Sequence, residues 1–194
     1  MILTTLAQQC APMVAPQTMA AIVRVESGGD PLAMWNNTTR QRILPRSLTA
    51  ARAYLKRAID LGQKVDVGLA QVDTENFAAF GLTPQNAFQA CTNLHAGGEI
   101  LQADYQKAVL RYGPGQYALY HAFEAYNSGH LWGDAHYANA VLRSAGIPVL
   151  VTAGSLAYRP RASAPLVFSV SWTKHSLPQK RSNPTGSAAY DFRW

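Results

Sequence analysis

The 194-residue chain has only two cysteines, Cys10 and Cys91, and charged side chains make up just 14 % of it. Long apolar runs are missing too: uninterrupted hydrophobic stretches last only a few residues. A membrane-spanning helix needs roughly 20 apolar residues, so none is expected. The five histidines (His95, His121, His130, His136 and His175) show no HExxH-type spacing, and two cysteines cannot complete a zinc site, so neither metal nor cofactor is expected. There is no GxSxG nucleophile elbow and no phosphate-cradling glycine loop. Residues 1–16 contain no Lys or Arg and only short apolar stretches, and they do not read as a secretory signal. Against these absences stands an apolar fraction of 48 %, too high for a chain disordered throughout and enough for one well-packed domain with an appendage.

The net charge of +6 is unevenly placed. Residues 1–150 hold 11 basic against 10 acidic side chains, a net +1, whereas residues 151–194 hold six basic side chains against Asp191 alone. The second segment carries four prolines and seven serines and reads as a flexible basic tail, with a short strand conceivable at 166–172. The boundary falls near 149–155. Excess positive charge favours an anionic partner such as nucleic acid, membrane or cell-wall polymer. No nucleic-acid recognition motif accompanies it, so no specific nucleic-acid partner is expected.

Residues 1–150 read as helix after helix. Residues 15–26 place Met19, Ile22, Val23 and Glu26 on one face, and Gly28-Gly29 stops them. Ser47 is a candidate N-cap for a helix burying Leu48, Ala51, Leu55, Ala58 and Ile59, ended by Gly62. Asp73 can cap a short helix through Phe77 and Phe80, and Thr83-Pro84 has the form of a helix start. Leu94, Leu101, Tyr105, Ala108, Val109 and Tyr112 line a long helix ending at Gly113; two more span 116–126 and 135–144. No strand-rich stretch interrupts them, which predicts a mainly α-helical domain.

Three segments carry candidate chemistry. Glu26 sits on the last turn of its helix, where the negative end of the helix dipole disfavours a carboxylate. Its i−3 and i−4 neighbours, Val23 and Ile22, are apolar, and both effects raise a carboxyl pKa toward the range a general acid requires. In Gly68-Leu69-Ala70-Gln71, the glycine permits close approach and the glutamine offers donors and an acceptor. In Tyr126-Asn127, a phenol and an amide stand side by side before Gly129. Taken singly, each also fits a plain helix end, loop or turn.

Together, Glu26-Ser27, Gly68-Leu69-Ala70-Gln71 and Ala125-Tyr126-Asn127-Ser128-Gly129, followed by Tyr137 before Val141-Leu142, resemble the soluble lytic transglycosylases in order and spacing. The closest resemblance is to the branch associated with type IV secretion and conjugation. Leu6-Ala7-Gln8-Gln9-Cys10-Ala11-Pro12 and Cys91-Thr92-Asn93-Leu94-His95-Ala96-Gly97 are similar to that branch as well. The resemblance covers about residues 4–145. It implies a lysozyme-like helical fold and cleavage of the MurNAc-β-1,4-GlcNAc bond of peptidoglycan. Glu26 would be sole acid and base, protonating the leaving oxygen and then taking the C6 hydroxyl proton as a 1,6-anhydro ring closes, with the substrate acetamide assisting. Ser27 and Gln71 match positions that orient the acid or the sugar, Tyr126 and Asn127 a pair beside the cleaved bond, and Tyr137 an aromatic that holds the carboxyl. Ala70 and Ser128 depart from the usual Met and Ala of these motifs.

The resemblance further implies a periplasmic protein acting on glycan strands beside components of a type IV secretion apparatus. In that oxidising setting Cys10 and Cys91 are expected to form a disulfide. Two alternatives are set against the main reading. One is a hydrolytic muramidase with a second carboxylate among Asp30, Asp66, Asp73 and Asp134, of which Asp73 and Asp134 read better as helix caps and Asp30-Pro31 as a turn. The other is a non-catalytic glycan-binding assembly factor. Trp35 and Trp132 are read as core residues in preference to sugar platforms, and residues 34–64 as a segment that packs against the fold or walls the cleft.

Overall fold

The computed structural model describes residues 2–147. The predicted tail at 151–194 and strand at 166–172 lie outside the described residues. Six helices form the body: α1 (Leu3–Cys10), α2 (Pro16–Glu26), α3 (Leu48–Asp60), α4 (Ala90–Tyr112), α5 (Gln116–Ser128) and α6 (Ala135–Ser144). α1 is not among the expected helices. Its N-cap, Ile2, makes no side-chain cap bond, yet Leu3, Leu6, Ala7 and Cys10 recur at helical spacing and turn toward the core.

Four short antiparallel strands, β1 (Met34–Asn36), β2 (Gln41–Ile43), β3 (Val65–Val67) and β4 (Val72–Asp73), make a sheet in the order β2-β1-β3-β4. This corrects the expectation of an uninterrupted helical domain. Strands of two or three residues are too short to show alternation, so the sequence carries no periodic signal for them. Their register is nonetheless well specified. Met34 pairs with Val67 and Val67 with Val72, giving a row of buried side chains, whereas Trp35 pairs with Asp66 and Asp66 with Asp73. Segment 34–64 therefore supplies β1, the edge strand β2, and α3, which buries Ala51, Leu55 and Ala58.

The Ser47 cap forms as expected, its Oγ accepting from Ala50 N at 3.2 Å. Asp73 caps a single 3-10 turn, Thr74–Asn76, in place of a longer helix. The helix expected from Thr83-Pro84 is a turn. Asn86 bonds Thr83 N at 2.7 Å and Gly81 O at 3.0 Å through its side chain, and such local bonds compete with helix propagation.

The long α4 runs through the centre and packs against both α5 and α1, while α6 packs on α2 and α5. Gly97 makes that centre possible. A Cβ there would lie 2.5 Å from Ala70 Cβ and 2.9 Å from the Tyr126 hydroxyl. The Cys10–Cys91 disulfide joins the end of α1 to the start of α4 across 81 residues. A cross-link closing so long a loop stabilises by about 4 kcal/mol in the chain-entropy model. The Cys10→Ala/Cys91→Ala protein should therefore unfold at a clearly lower denaturant midpoint than the oxidised chain. Coincident curves would show that the disulfide adds nothing to stability.

Candidate active site

Glu26 is the last residue of α2, and the fully buried Ile22 and nearly fully buried Val23 precede it by one turn. Its carboxyl accepts a short hydrogen bond from the Tyr137 hydroxyl, donated across the α2–α6 contact. Burial pushes the Glu26 pKa up to about 8; Tyr137 lowers it, and Asp66 and Asp134 raise it further. Desolvation wins because a single neutral donor cannot replace the water a carboxylate needs. The shift is upward, with burial as its main cause, and Tyr137 stands within hydrogen-bond reach of the carboxyl.

Ser27 follows as the cap of α2. Its Oγ lies 3.1 Å from Val23 O and 2.9 Å from Leu69 O, and accepts from Gly29 N at 3.2 Å. At 6 % exposure it faces the protein and ties the acid-bearing helix end to the 68–71 loop. Gln71 has a left-handed backbone (φ 47), a conformation costing about 1 kcal/mol or more for a non-glycine residue. Its Nε2 donates to Ala33 O at 3.0 Å and Gly68 O at 2.7 Å, which holds the loop in that shape.

The same loop is gripped from two more sides. Tyr126 donates its hydroxyl to Ala70 O at 2.8 Å, and its ring stacks with Tyr137 at 6.4 Å between centroids. Asn93, on the first turn of α4, accepts from Ala70 N at 2.8 Å and donates to Val67 O at 2.8 Å and Ala87 O at 3.1 Å. Nothing in the sequence singles out Asn93 for this role, because an asparagine in a helix carries no mark of burial. Only glycine fits at position 68, where a Cβ would sit 2.6 Å from Asn93 Nδ2. Asn127 is exposed and donates to Asp134 Oδ2 at 2.5 Å, and Asp134 in turn caps α6 by accepting from Tyr137 N at 3.2 Å.

Asp66 and Asp73 face each other across β3 and β4, bridged by Asn37 Nδ2 at 3.0 and 3.3 Å. Burial and the Asp73 charge push Asp66 up to about 7, and Asp73 is also raised, mainly by burial. Asp73 and Asp134 serve as caps, as expected, and Asp30 closes its turn by accepting from Leu32 N at 2.9 Å. Trp35 and Trp132 are not core residues; they are 40 % and 56 % exposed. Trp35 lies in the Asp66 row of the sheet, and the Arg111 guanidinium covers Trp132 at 4.8 Å. Among the described residues, no group of three His, Cys, Asp or Glu side chains could hold a metal ion. Likewise, no helix there is long and apolar enough to cross a membrane.

A carboxyl that binds its proton more tightly in the folded chain contributes stability that is complete below about pH 4.5 and is lost as pH rises toward about 8. Glu26→Gln keeps the acceptor for Tyr137 but cannot ionise. It should match wild type at pH 4 and exceed it by at most roughly 3 kcal/mol at pH 7, measured by urea unfolding at both pH values. Equal stabilities at both would mean an ordinary, solvated Glu26.

The chain is similar to known proteins. The family model described as the Transglycosylase SLT domain matches residues 4–136. Protein virB1 of Rhizobium radiobacter is 40 % identical over 124 residues, 64 % of this chain and 52 % of that protein. The type IV secretion system protein virB1 of Brucella abortus is 43 % identical over 129 residues, 66 % of this chain and 54 % of that protein. The chain thus spans about half the length of these relatives. No solved structure matches it. A model that covers most of the chain, on a body of six helices and a small sheet, shows that this protein belongs to the SLT transglycosylase-domain family and has its lysozyme-like, mainly α-helical fold.

Proposed function

We propose that this protein is a peptidoglycan lytic transglycosylase that cleaves the MurNAc-β-1,4-GlcNAc bond without water and leaves a 1,6-anhydroMurNAc end. The observation that carries this reading is the desolvated Glu26 carboxyl under the Tyr137 hydroxyl. A carboxyl with a pKa near 8 holds its proton at neutral pH and can give it to the departing glycosidic oxygen. The carboxylate so formed is again poorly solvated, which makes it a strong base for the C6 hydroxyl proton. One group then serves both steps. Tyr126, Gln71 and Ser27 keep the neighbouring loop in place, while Asn127 offers its exposed amide to the sugar.

Glycan strands are the substrate, the periplasm the place of action, and local opening of the wall for a type IV secretion or conjugation apparatus the purpose. The family match and the names of the virB1 relatives support this setting. The 151–194 segment, with its excess of five positive charges, suits an anionic surface such as wall or membrane better than the nearly neutral catalytic body does.

A hydrolytic muramidase is the second reading, favoured by Asp66, whose charge is felt at Glu26. Burial and the Asp73 charge raise the Asp66 pKa to about 7, which weakens it as the ionised partner such a mechanism requires. Product analysis separates the two. Mass spectrometry of released muropeptides should find anhydro ends with wild type, and Glu26→Gln should lower turnover by at least about 10³-fold. Reducing MurNAc ends would establish hydrolysis instead. Turnover surviving in Glu26→Gln would rule out the proposed acid, and assembly of the apparatus persisting without turnover would assign a separate binding role. Because the acid must start protonated, turnover should hold up to about pH 8 and fall above it.

A further inference from the structure

One row of the sheet faces away from the core and has no part in the chemistry above. β1 buries Met34 and Asn36 and turns Trp35 outward between them. The strand is firmly held. Asn36 Nδ2 donates to the Tyr54 hydroxyl at 2.8 Å and to Gln63 Oε1 at 2.9 Å, and Asn36 Oδ1 accepts from Thr39 N at 2.9 Å. Trp35 is thus a large ring on a fixed strand with 40 % of its surface in water, a placement that gains little for the fold. Its register partners are Arg42 on the edge strand β2 and Asp66 on β3. Paired residues share a face, so Arg42, Trp35, Asp66 and Asp73 form one row. The exposed Arg42 side chain makes no ion pair or hydrogen bond with the described residues. With strands about 4.8 Å apart, it stands roughly 10 Å from Asp66, with Trp35 between them.

This row lies beside the acid. Met34, just before Trp35, pairs with Val67, the residue that enters the 68–71 loop. Ala33 O accepts from Gly68 N at 2.8 Å and from Gln71 Nε2 at 3.0 Å, and Ser27 Oγ, next to Glu26, lies 2.9 Å from Leu69 O. The Asp66 charge is also felt at Glu26. An exposed aromatic face flanked by polar groups suits a pyranose, whose C–H face can lie on the ring while its hydroxyls meet the polar groups. A free guanidinium beyond the ring adds a requirement for an anion, and it takes a carboxylate through two parallel bonds. In a strand of alternating GlcNAc and MurNAc only MurNAc carries one. It is the lactyl carboxylate on C3 when the strand is bare, or a stem-peptide carboxylate when it is substituted. We propose that Trp35 and Arg42 are specificity-determining residues of a glycan subsite: Trp35 carries the ring of a MurNAc, and Arg42 pairs with a carboxylate on the C3 substituent of that sugar. The proposal rests on the peptidoglycan reading above and adds which sugar the sheet face takes.

Titration calorimetry of the full chain in a Glu26→Gln background, which leaves the ligand intact, tests it with three soluble probes. One is a chito-oligosaccharide without carboxylates. The second is a bare GlcNAc-MurNAc oligosaccharide with free lactyl groups, and the third is the same oligosaccharide bearing stem peptides. Trp35→Ala should weaken all three about tenfold or more. Trp35→Phe keeps a ring and should recover most of that loss, which separates a missing platform from a damaged fold. Arg42→Gln should leave the chito-oligosaccharide unchanged and weaken a carboxylate-bearing probe about tenfold, a preference that fades in high salt. A loss on the bare probe identifies the lactyl carboxylate and a loss on the substituted probe the stem peptide; either supports the subsite.

In the chain with Glu26 intact, Trp35→Ala should raise KM with kcat little changed, the mark of lost substrate binding. Unchanged affinities in Trp35→Ala would overturn the subsite, as would an Arg42→Gln protein that treats all three probes alike. If wild type releases no muropeptide while the affinities change as described, the lyase reading fails and the subsite stands. Release of anhydro muropeptides by a chain whose Trp35 and Arg42 variants match wild type means the opposite: the subsite fails and the lyase reading stands.

Discussion

One hydrogen bond, from the Tyr137 hydroxyl to the Glu26 carboxyl, joins residues 111 positions apart, and the rest of the site is arranged around it. Glu26 ends α2 and Tyr137 lies on the first turn of α6, so the bond forms only where these helices meet. Its partners pull in opposite directions. Apolar surroundings favour the protonated acid and the phenol favours the carboxylate, leaving the pKa near 8, with burial the stronger influence. The same burial raises the phenolic pKa of Tyr137 and Tyr126 well above its ordinary range, so both hydroxyls keep their protons and remain donors. A solvated glutamate would leave the fold more stable at neutral pH, because holding the carboxyl where its charge is unwelcome costs stability as the pH rises.

The second constraint is the 68–71 loop opposite that bond. Its carbonyls and amides are taken by Ser27 from α2, Asn93 from α4 and Tyr126 from α5, with Gln71 closing it from within. Three helices thus converge on four residues. Close approach requires small residues at the contact, and Gly68, Ala70 and Gly97 meet there. The departure at Ala70 therefore has a packing reason: its Cβ already lies against the position where Gly97 lacks one, and a methionine would need room that α4 does not leave. Anchoring α4 to α1 through Cys10 and Cys91 secures the helix that carries both Asn93 and Gly97.

How much of this is legible in the sequence depends on how far each signal reaches along the chain. The amphipathic stripes of α2 to α6 and their glycine stops are readable, since helices of ten residues or more repeat their pattern. β1 to β4 are not, because two or three residues cannot alternate visibly, and the pairing that makes them strands is long-range. α1 has the stripe but no cap. Thr83-Pro84 has the look of a cap without a helix, because Asn86 diverts the backbone bonds. Within the site, Glu26 is marked by its own neighbours, whereas Tyr137 is marked only by family resemblance. Asn93 gives no sign: polar residues on helices are normally solvated, and nothing local announces that this one is enclosed. Trp35 and Trp132 mislead the other way, as large rings that turn out to be exposed.

The proposed chemistry depends on Glu26 keeping its proton through neutral pH. Site-resolved carboxyl-carbon NMR of the folded wild-type chain, titrated from pH 4 to pH 10, measures this directly. A midpoint near 8 is the predicted result. A midpoint at the ordinary glutamate value near 4.5 would contradict it and leave the protein without the acid its geometry implies.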